Sequence, residues 1–495
     1  MELLAKINGI INGMVWGPPA LLLIVGTGIF ITFGTKFIQA GKFSHMWKNT
    51  IMTLFKKGEA GTAKRSDGTN VTPFQAVCTA LASTVGVGNV AGVAGAIAAG
   101  GPGAVFWMWV SAFFGMATKY SEIVLALKYR QTAKNGTYYG GPMYYIEQGI
   151  GGRGKGWKGF ARVLAIIFAI FGGFACFGIG NATQAGEISV AVNNLTGSNF
   201  DSSIITGIIL SILVGLVIIG GIKRIGTVAS YLVPFMSVFY IVCGVLIILL
   251  NIAQVPAALA YIVREAFSFR AVGSGIFGYA IMLAMKKGIA RGVFSNEAGL
   301  GSAPIAHAAS STKDPVKQGL WGIFEVFIDT IVICTITGLV VVLSLKASGQ
   351  FVDGAYVGKV VNGQLVKLTG GALTASAFGS VFPGGDLIVR FAILLFALST
   401  ILGWSYYGER CWGYLSNNSK AVNLGFRIIF VVLVFVGAIS SSSNVLHDTS
   451  VLELAWDIAD TLNGLMAIPN LVALIMLSGV TFALTKKYFK TGSSL

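Results

Sequence analysis

The stretch Ser83-Thr84-Val85-Gly86-Val87-Gly88-Asn89 interrupts an apolar segment that runs from about residue 72 to residue 99. Each of its two glycines weakens a helix by roughly 1 kcal/mol relative to alanine. In hydrocarbon, every backbone group that a broken helix releases needs another partner. Such breaks expose carbonyl and N–H groups that can bind a cation and an anionic ligand group together. The other interpretation is a packing kink, because glycines let membrane helices approach closely.

The composition is that of a membrane protein. Of the 495 residues, 55% are hydrophobic and 11% are charged, and the mean hydropathy is +0.77. Apolar runs of about 18 residues or more recur along the chain, and each is long enough to cross about 30 Å of hydrocarbon. The sequence lacks the short segments of alternating polarity that are typical of membrane β-barrels. We therefore predict an all-α polytopic membrane protein.

Eleven transmembrane helices account for these runs. They are predicted at about residues 15–34, 72–99, 103–128, 160–190, 203–221, 226–250, 272–291, 318–345, 384–412, 422–440 and 465–485. The connections at 35–71 and 128–162 each carry seven Lys or Arg residues, which places them in the cytoplasm, and parity then puts the N-terminus outside and the C-terminus inside. The net charge of +16 is explained in this way, without a nucleic-acid partner.

Two features are predicted outside the membrane. In the external loop at 346–383, Asn362-Gly363 lies between alternating apolar residues and predicts a β-hairpin over 355–366. The segment from Val255 to Phe269 is short and carries adjacent opposite charges, so we expect an amphipathic helix on the outer surface.

The crossings after the first divide into two sets of five. We expect an extra N-terminal helix and cytoplasmic loop at 1–71, a first repeat at 72–250, and a second repeat at 251–495 that ends in a cytoplasmic tail. Because five is an odd number, the second set enters the membrane from the opposite side, which is the condition for an inverted repeat.

An inverted repeat predicts a second broken helix. Either Gly273-Ser274-Gly275 or the stretch 292–304 could contain the break. The cations just before residue 292 favour a position near the cytoplasmic face for that stretch. Its candidate gate or cap residues are Ser295, Asn296, Glu297 and Gly299.

Polar side chains inside the crossings are further candidates. Glu325 and Asp329 lie four residues apart on one helix face, and carboxylates within a span are functional candidates by default. The alternative is a charge pair at the membrane edge with Lys317 or a basic loop residue. A second polar face, continuing that of Phe174 and Phe177, consists of Asn181, Gln184 and Glu187, which could simply bond neighbouring helices.

Adjacent hydroxyl groups at Ser399 and Thr400 lie in the crossing at 384–412. Hydroxyls within a helix commonly bond back to the carbonyl four residues earlier. Together with two or three carbonyls of the broken helix, they would also supply the all-oxygen shell that a hard monovalent cation needs.

Five motifs follow one another along the chain. They are residues 83–94 (STVGVGNVAGVA), 100–109 (GGPGAVFWMW), 139–145 (YGGPMYY), 291–304 (RGVFSNEAGLGSAP) and 403–410 (GWSYYGER). Together they closely resemble the alanine or glycine:cation symporter family of the APC superfamily. The resemblance implies an inverted repeat of the leucine-transporter type, preceded by one extra helix.

The resemblance also implies two binding sites. Sodium would be bound by the carbonyls of Ala82 and Val85 and the hydroxyls of Ser399 and Thr400. The substrate carboxylate would be bound at the start of the second half-helix. The residues implied for the substrate site are Thr84, Gly86, Gly88, Asn89, Phe174, Thr400 and Trp404.

The function expected on this basis is sodium-coupled import of a small neutral amino acid, alanine or glycine, by alternating access. The protein would be no enzyme, would need no cofactor beyond sodium as coupling ion, and would lie in the lipid bilayer of a prokaryotic cytoplasmic membrane. The alternatives are a relative that prefers glutamine or another polar amino acid, and coupling to protons through Glu325 or Asp329. A channel would need a continuous polar pore. A membrane enzyme would need a catalytic constellation, and the three histidines lack metal-ligand spacing.

Overall fold

The structure is a computed structural model that describes residues 2–55, 70–196, 201–268, 279–361, 364–440 and 450–493. It is a bundle of helices in which short hairpins lie outside the main packing. The helices before residue 72 are α1 (Glu2–Val15), α2 (Pro18–Gly34), α3 (Ile38–Gly41), α4 (Phe43–Asn49) and α5 (Ile51–Phe55).

The predicted first repeat contains eight helices in its described residues. They are α6 (Pro73–Thr84), α7 (Val93–Gly100), α8 (Gly103–Lys128), α9 (Pro142–Tyr145), α10 (Lys155–Phe177), α11 (Thr183–Thr196), α12 (Ser203–Ile218) and α13 (Gly221–Leu250). Wider π-helical turns occur at Gly88–Gly92, Ile146–Ile150 and Gly178–Ala182.

The predicted second repeat contains nine described helices. They are α14 (Val255–Ala266), α15 (Tyr279–Asn296), α16 (Ala303–His307), α17 (Pro315–Val326), α18 (Thr335–Ala347), α19 (Gly370–Val381), α20 (Gly385–Leu415), α21 (Lys420–Ser440) and α22 (Ser450–Thr491). A π-helical segment, Phe327–Cys334, joins α17 to α18. Short 3-10 turns lie at Gly151–Arg153 and Ile252–Gln254.

Each of the eleven predicted crossings overlaps a helix, although they differ in length. Among the described residues, eight helices are long and apolar enough to span a membrane, and the bent pair Pro73–Thr84 and Gly88–Gly100 makes a ninth. The other two predictions fall on the 16-residue α12 and the 18-residue α15. At the N-terminus the structure adds α1, which the predicted crossings did not include.

The first predicted break is confirmed. The two halves of the helix meet at 49°, and Val85 and Gly86 between them are not helical. A capping box fixes the start of α6, where Thr72 and Gln75 each accept a backbone N–H bond from the other at 3.0 Å. The interruption is therefore confined to residues 85–87, and the helix on the N-terminal side of it is well formed.

The second break lies between α15 and α16, within the predicted stretch 292–304. Three of its residues have positive φ angles: Glu297 at 57°, Gly299 at 95° and Gly301 at 83°. Gly301 also allows a close approach, because a methyl group there would lie 2.7 Å from Pro142. The alternative at Gly273-Ser274-Gly275 lies outside the described residues.

The expected position of this stretch near the cytoplasmic face was wrong. Phe294 and Ser295 lie beside Gly88 of the first broken helix, deep in the bundle. The preceding cation Arg291 does not mark a membrane edge, because it packs against Gly92 and its guanidinium lies 5.1 Å from the Phe294 ring. A charge buried beside an aromatic ring was therefore misread as a charge at the interface.

Buried charges connect the two predicted repeats. The Lys119 ammonium on α8 donates to the Asn296 carbonyl at 2.7 Å and lies 3.5 Å from Glu325. Glu325 also bonds His307, so its partners are neither Lys317 nor a loop residue, contrary to the alternative drawn from the sequence. Lys119 and Glu325 are at most 1% exposed, which makes their pairing necessary for stability.

The two external features are also present. β5 (Lys359–Val361) and β6 (Gln364–Val366) pair antiparallel around the predicted turn, whose residues 362–363 lie outside the described ranges. Smaller hairpins pair β1 (Gln131–Thr132) with β2 (Tyr138–Tyr139) and β3 (Phe351–Val352) with β4 (Ala355–Tyr356). The predicted surface helix is α14, which packs closely on Gly103 at the start of α8.

Replacing Lys119 by methionine should lower the apparent melting temperature in detergent, because Glu325 loses its ammonium partner. Breaking a buried ion pair costs about 3–5 kcal/mol. The double variant Lys119→Met/Glu325→Gln should recover most of the loss, and Lys128→Met, at the exposed end of the same helix, should cause none. A double variant no more stable than the single one would contradict the pairing.

Candidate functional site

A small cavity lies at the first break. Its volume is about 20 Å³, room for about one water molecule. It is lined by Ser83, Thr84, Gly86, Gly88, Ile179, Gln184, Phe294, Glu297, Leu300, Thr400, Trp404 and Asn463. We call it the central cavity, and both breaks contribute to its wall.

Three of the four expected sodium ligands come together. The Ser399 hydroxyl lies 3.1 Å from the Ala82 carbonyl oxygen and 3.5 Å from that of Val85, across the interface of α20 and α6. These carbonyls are available because the helix ends at Thr84, so a following helical turn does not supply an N–H donor to each of them. The fourth, Thr400, faces the cavity, and the hydroxyls of Ser399 and Thr400 both also donate to the Phe396 carbonyl, at 2.8 and 2.9 Å.

The expected carboxylate site is only partly assembled. Thr84 and Gly88 line the central cavity, where the second half-helix begins and its first N–H groups have no partner within the helix. The Gly86 N–H, however, donates to Asn89 Oδ1 at 2.8 Å and is not free for a substrate. Asn89 itself is fully buried and donates to Asp329 at 2.6 Å, so its side chain supplies hydrogen bonds within the break and does not face the cavity.

One expected pocket residue lies elsewhere. The Phe174 side chain is 45% exposed and packs on Trp412, with 5.1 Å between ring centroids. The resemblance had implied Phe174 in the pocket, but of the polar face predicted to continue from it, Gln184 reaches the cavity and Phe174 does not. Ile179, in the π-helical turn at Gly178–Ala182, takes its place. Trp404 is in the cavity wall as expected, where its ring packs on Gly180.

The four gate or cap candidates have different surroundings. Ser295 donates to Asp329 at 2.8 Å, and Asn296 donates to Thr330 at 3.0 Å. The Gly299 N–H donates to Glu122 at 3.0 Å. Of the four, Glu297 alone lines the central cavity, with a carboxylate that accepts the Ser302 hydroxyl.

The sequence interpretation did not anticipate several wall residues. Asn463 precedes the predicted last crossing at 465–485, whereas α22 begins earlier and brings its side chain inward. Gln184 was a candidate for helix packing, and the structure places it in the wall. Its polarity within an apolar segment was the available signal. Glu187, one turn further on, lies in a separate space, the outer vestibule described next.

Two larger spaces lie at opposite ends of the bundle. The outer vestibule, about 360 Å³, is lined in part by residues predicted to be external, among them Asn194, Gly371 and Ser376. The inner vestibule, about 310 Å³, is lined in part by residues predicted to be cytoplasmic, among them Asn70, Asn135 and Lys223. The central cavity, formed largely by residues at the two breaks, is much smaller than either.

Comparison with known proteins gives consistent results. A model of the sodium:alanine symporter family matches residues 1–494. The sodium/alanine symporter AgcS of Methanococcus maripaludis is 46% identical, over 99% of this chain and 98% of that protein. The probable sodium/glutamine symporter GlnT of Bacillus subtilis is 37% identical, over 98% of this chain and 91% of that protein.

Solved structures agree on the fold. MhsT in complex with L-phenylalanine has a TM-score of 0.53 at 14% identity, over 83% of this chain and 97% of that chain. A Na+-coupled sialic acid symporter has a TM-score of 0.51 at 14% identity, over 95% of this chain and 92% of that chain. The fold is therefore that of leucine-transporter-type transporters.

Replacing Gly86 by alanine should abolish substrate uptake by the reconstituted protein. The added methyl group would lie 2.5 Å from the Thr400 hydroxyl oxygen, in a cavity with no spare volume. Gly95→Ala is the matched control, since a methyl group there meets nothing within 4 Å. Equal uptake by both variants would show that the central cavity is not used.

Proposed function

Because the chain belongs to the sodium:alanine symporter family, we propose that it is a sodium-coupled secondary active symporter that imports alanine or glycine by alternating access. The observation that carries the proposal is the approach of the Ser399 hydroxyl to the carbonyls of Ala82 and Val85. The cation and the amino acid would share one broken helix, so that each orders the ligands of the other.

Sodium fits this site better than a proton does. The oxygens around Ser399 are neutral hydroxyl and carbonyl groups, which bind hard cations but do not titrate. The proton-coupled alternative relied on Glu325 or Asp329. Both are engaged in bonds that support the helix breaks, and neither lines the central cavity.

The membrane potential would drive concentration of the substrate. A zwitterion carries no net charge, so one sodium ion moved inward with it carries one positive charge. Each 100 mV then contributes about 2.3 kcal/mol, or roughly a fifty-fold concentration ratio. We place the protein in a prokaryotic cytoplasmic membrane with its N-terminus outside, as the charge of its connections indicates.

A small substrate is favoured over glutamine. The central cavity is about 20 Å³ and is bounded by the Trp404 ring and the aliphatic side chains of Ile179 and Leu300. Admission of glutamine would require a larger displacement of these walls than alanine or glycine. The probable glutamine symporter GlnT is also less similar to this chain than AgcS is.

Uptake of radiolabelled alanine into proteoliposomes should require an inward sodium gradient and should stop when potassium replaces sodium at fixed pH. Ser399→Ala removes one ligand and should raise the half-saturating sodium concentration about tenfold. Ser405→Ala is the matched control, because this buried hydroxyl of the same helix bonds its own turn, at Leu402. Uptake that is indifferent to sodium would refute the proposal.

Trp404→Ala should widen the range of accepted amino acids, because it removes the largest side chain of the wall. We expect valine and leucine to compete with alanine in the variant but not in the wild type. Trp412→Ala, which removes an indole outside the cavity, should leave the selectivity unchanged. The measurement is inhibition of alanine uptake by a panel of unlabelled amino acids.

A further inference from the structure

One wall of the central cavity is rich in hydrogen-bond acceptors. Glu297, Gln184 and Asn463 contribute to this wall from three separate elements: the second break, α11 and α22. All three are at least nine-tenths buried, with exposed fractions of 3%, 4% and 1%. The sodium site proposed at Ser399 uses none of them.

The orientation of the Gln184 amide is fixed by its surroundings. Its Nε2 donates to the Ile179 carbonyl at 3.0 Å, and because a carbonyl only accepts, the other end of the amide has to be the oxygen. That Oε1 is buried and has no donor among the described residues, and the same is true of Asn463 Oδ1. Buried acceptors without donors are rare in folded proteins, which points to a donor from outside the chain, a water molecule in the cavity or a substrate group that replaces it.

The Glu297 carboxylate needs a positive partner. The backbone of this residue has a φ of 57°, a conformation that residues other than glycine, asparagine and aspartate seldom adopt. The nearby Lys119 ammonium is already bound to the Asn296 carbonyl and paired with Glu325. A buried carboxylate without a cation of its own is costly, and a bound cation removes that cost.

The lining of the cavity therefore contains two electrostatically different sets of residues. Thr84 and Gly88 lie at the N-terminus of a half-helix, which favours an anion. Glu297, Gln184 and Asn463 present oxygen atoms, which favour a cationic donor. An ammonium group has three N–H donors and no acceptor, so it matches three acceptor side chains.

We propose that Glu297, together with Gln184 Oε1 and Asn463 Oδ1, binds the α-ammonium group of the substrate. The transporter then recognises a zwitterion by its free amino group as well as by its carboxylate. This inference rests on the proposed amino-acid symport and adds the residues that select the amino end. Analogues whose nitrogen is absent, replaced by hydroxyl or fully methylated lack the required donors or charge.

The test is competition against radiolabelled alanine on the purified full-length protein at saturating sodium. For the wild type, propionate, lactate and N,N,N-trimethylalanine should each bind at least about a hundredfold more weakly than alanine. Glu297→Gln should weaken alanine binding at least about tenfold and should reduce the preference for alanine over lactate. Glu265→Gln, a buried glutamate outside the cavity, is the matched control and should change neither.

Sodium binding distinguishes this inference from a second cation site. The affinity for sodium measured without amino acid should stay within about twofold of the wild type in Glu297→Gln, because the sodium ligands are untouched. A large loss of that affinity, with the alanine-to-lactate preference unchanged, would mean that the carboxylate binds the ion, and would overturn the inference. Unchanged alanine affinity in Glu297→Gln would overturn it as well.

Gln184→Met provides an independent variant that introduces no change of charge. Methionine has a similar side-chain volume but lacks the unpartnered oxygen. The variant should therefore bind alanine at least about threefold more weakly and should show a smaller preference for alanine over lactate. If Glu297→Gln does not fold, this variant decides the question, and a wild-type affinity would refute the inference. Failure of the wild type to bind alanine at all would instead refute the proposed function.

Discussion

A helix that stops inside the bilayer has to find new partners for its backbone groups, and this requirement organises the structure. At the first break, the Asn89 side chain accepts a hydrogen bond from the Gly86 N–H and donates a second one to Asp329. At the second break, Glu122 accepts the Gly299 N–H. In both cases a partner comes from the other predicted half of the chain. The halves are thus bonded to each other at the two points where their helices are discontinuous.

The neutral oxygens around Ser399 and the buried charged side chains belong to different residues. The oxygens around Ser399 belong to hydroxyl and carbonyl groups, whereas the pairing of Lys119 with Glu325 involves full charges. The two sets share no residue. Cation binding at Ser399 would therefore proceed without release of a proton from its ligands, while the ion pair stabilises the break that carries Glu297.

The sequence was sufficient for features that depend on local chemistry. Two glycines in an apolar segment predicted the first break, and Asn362-Gly363 predicted the pairing of β5 with β6. The hydroxyl at Ser399 was matched to its carbonyls through the family resemblance. These signals depend on a few neighbouring residues, or on motifs long enough to be specific.

The remaining features depend on contacts that no local pattern specifies. Lys119 pairs with Glu325 across 206 positions of the chain, and nothing in its own apolar segment indicates the partner. Phe174 was assigned to the pocket by family resemblance, but its ring packs on Trp412, a contact that no local pattern indicates. Asn89 was expected to face the substrate. Its side chain instead accepts a hydrogen bond from the Gly86 N–H, which the break leaves within its reach.

The helix that roofs the outer vestibule is attached to the broken helix itself. The Thr374 hydroxyl of α19 donates to the Val90 carbonyl at 3.0 Å, and Gly370 lies against Ala91. Because Val90 is two residues from Gly88, a tilt of this half-helix displaces the roof as well. A molecule bound to α19 in the outer vestibule would thus hold this half-helix in place, and would stop the transport cycle without occupying the central cavity.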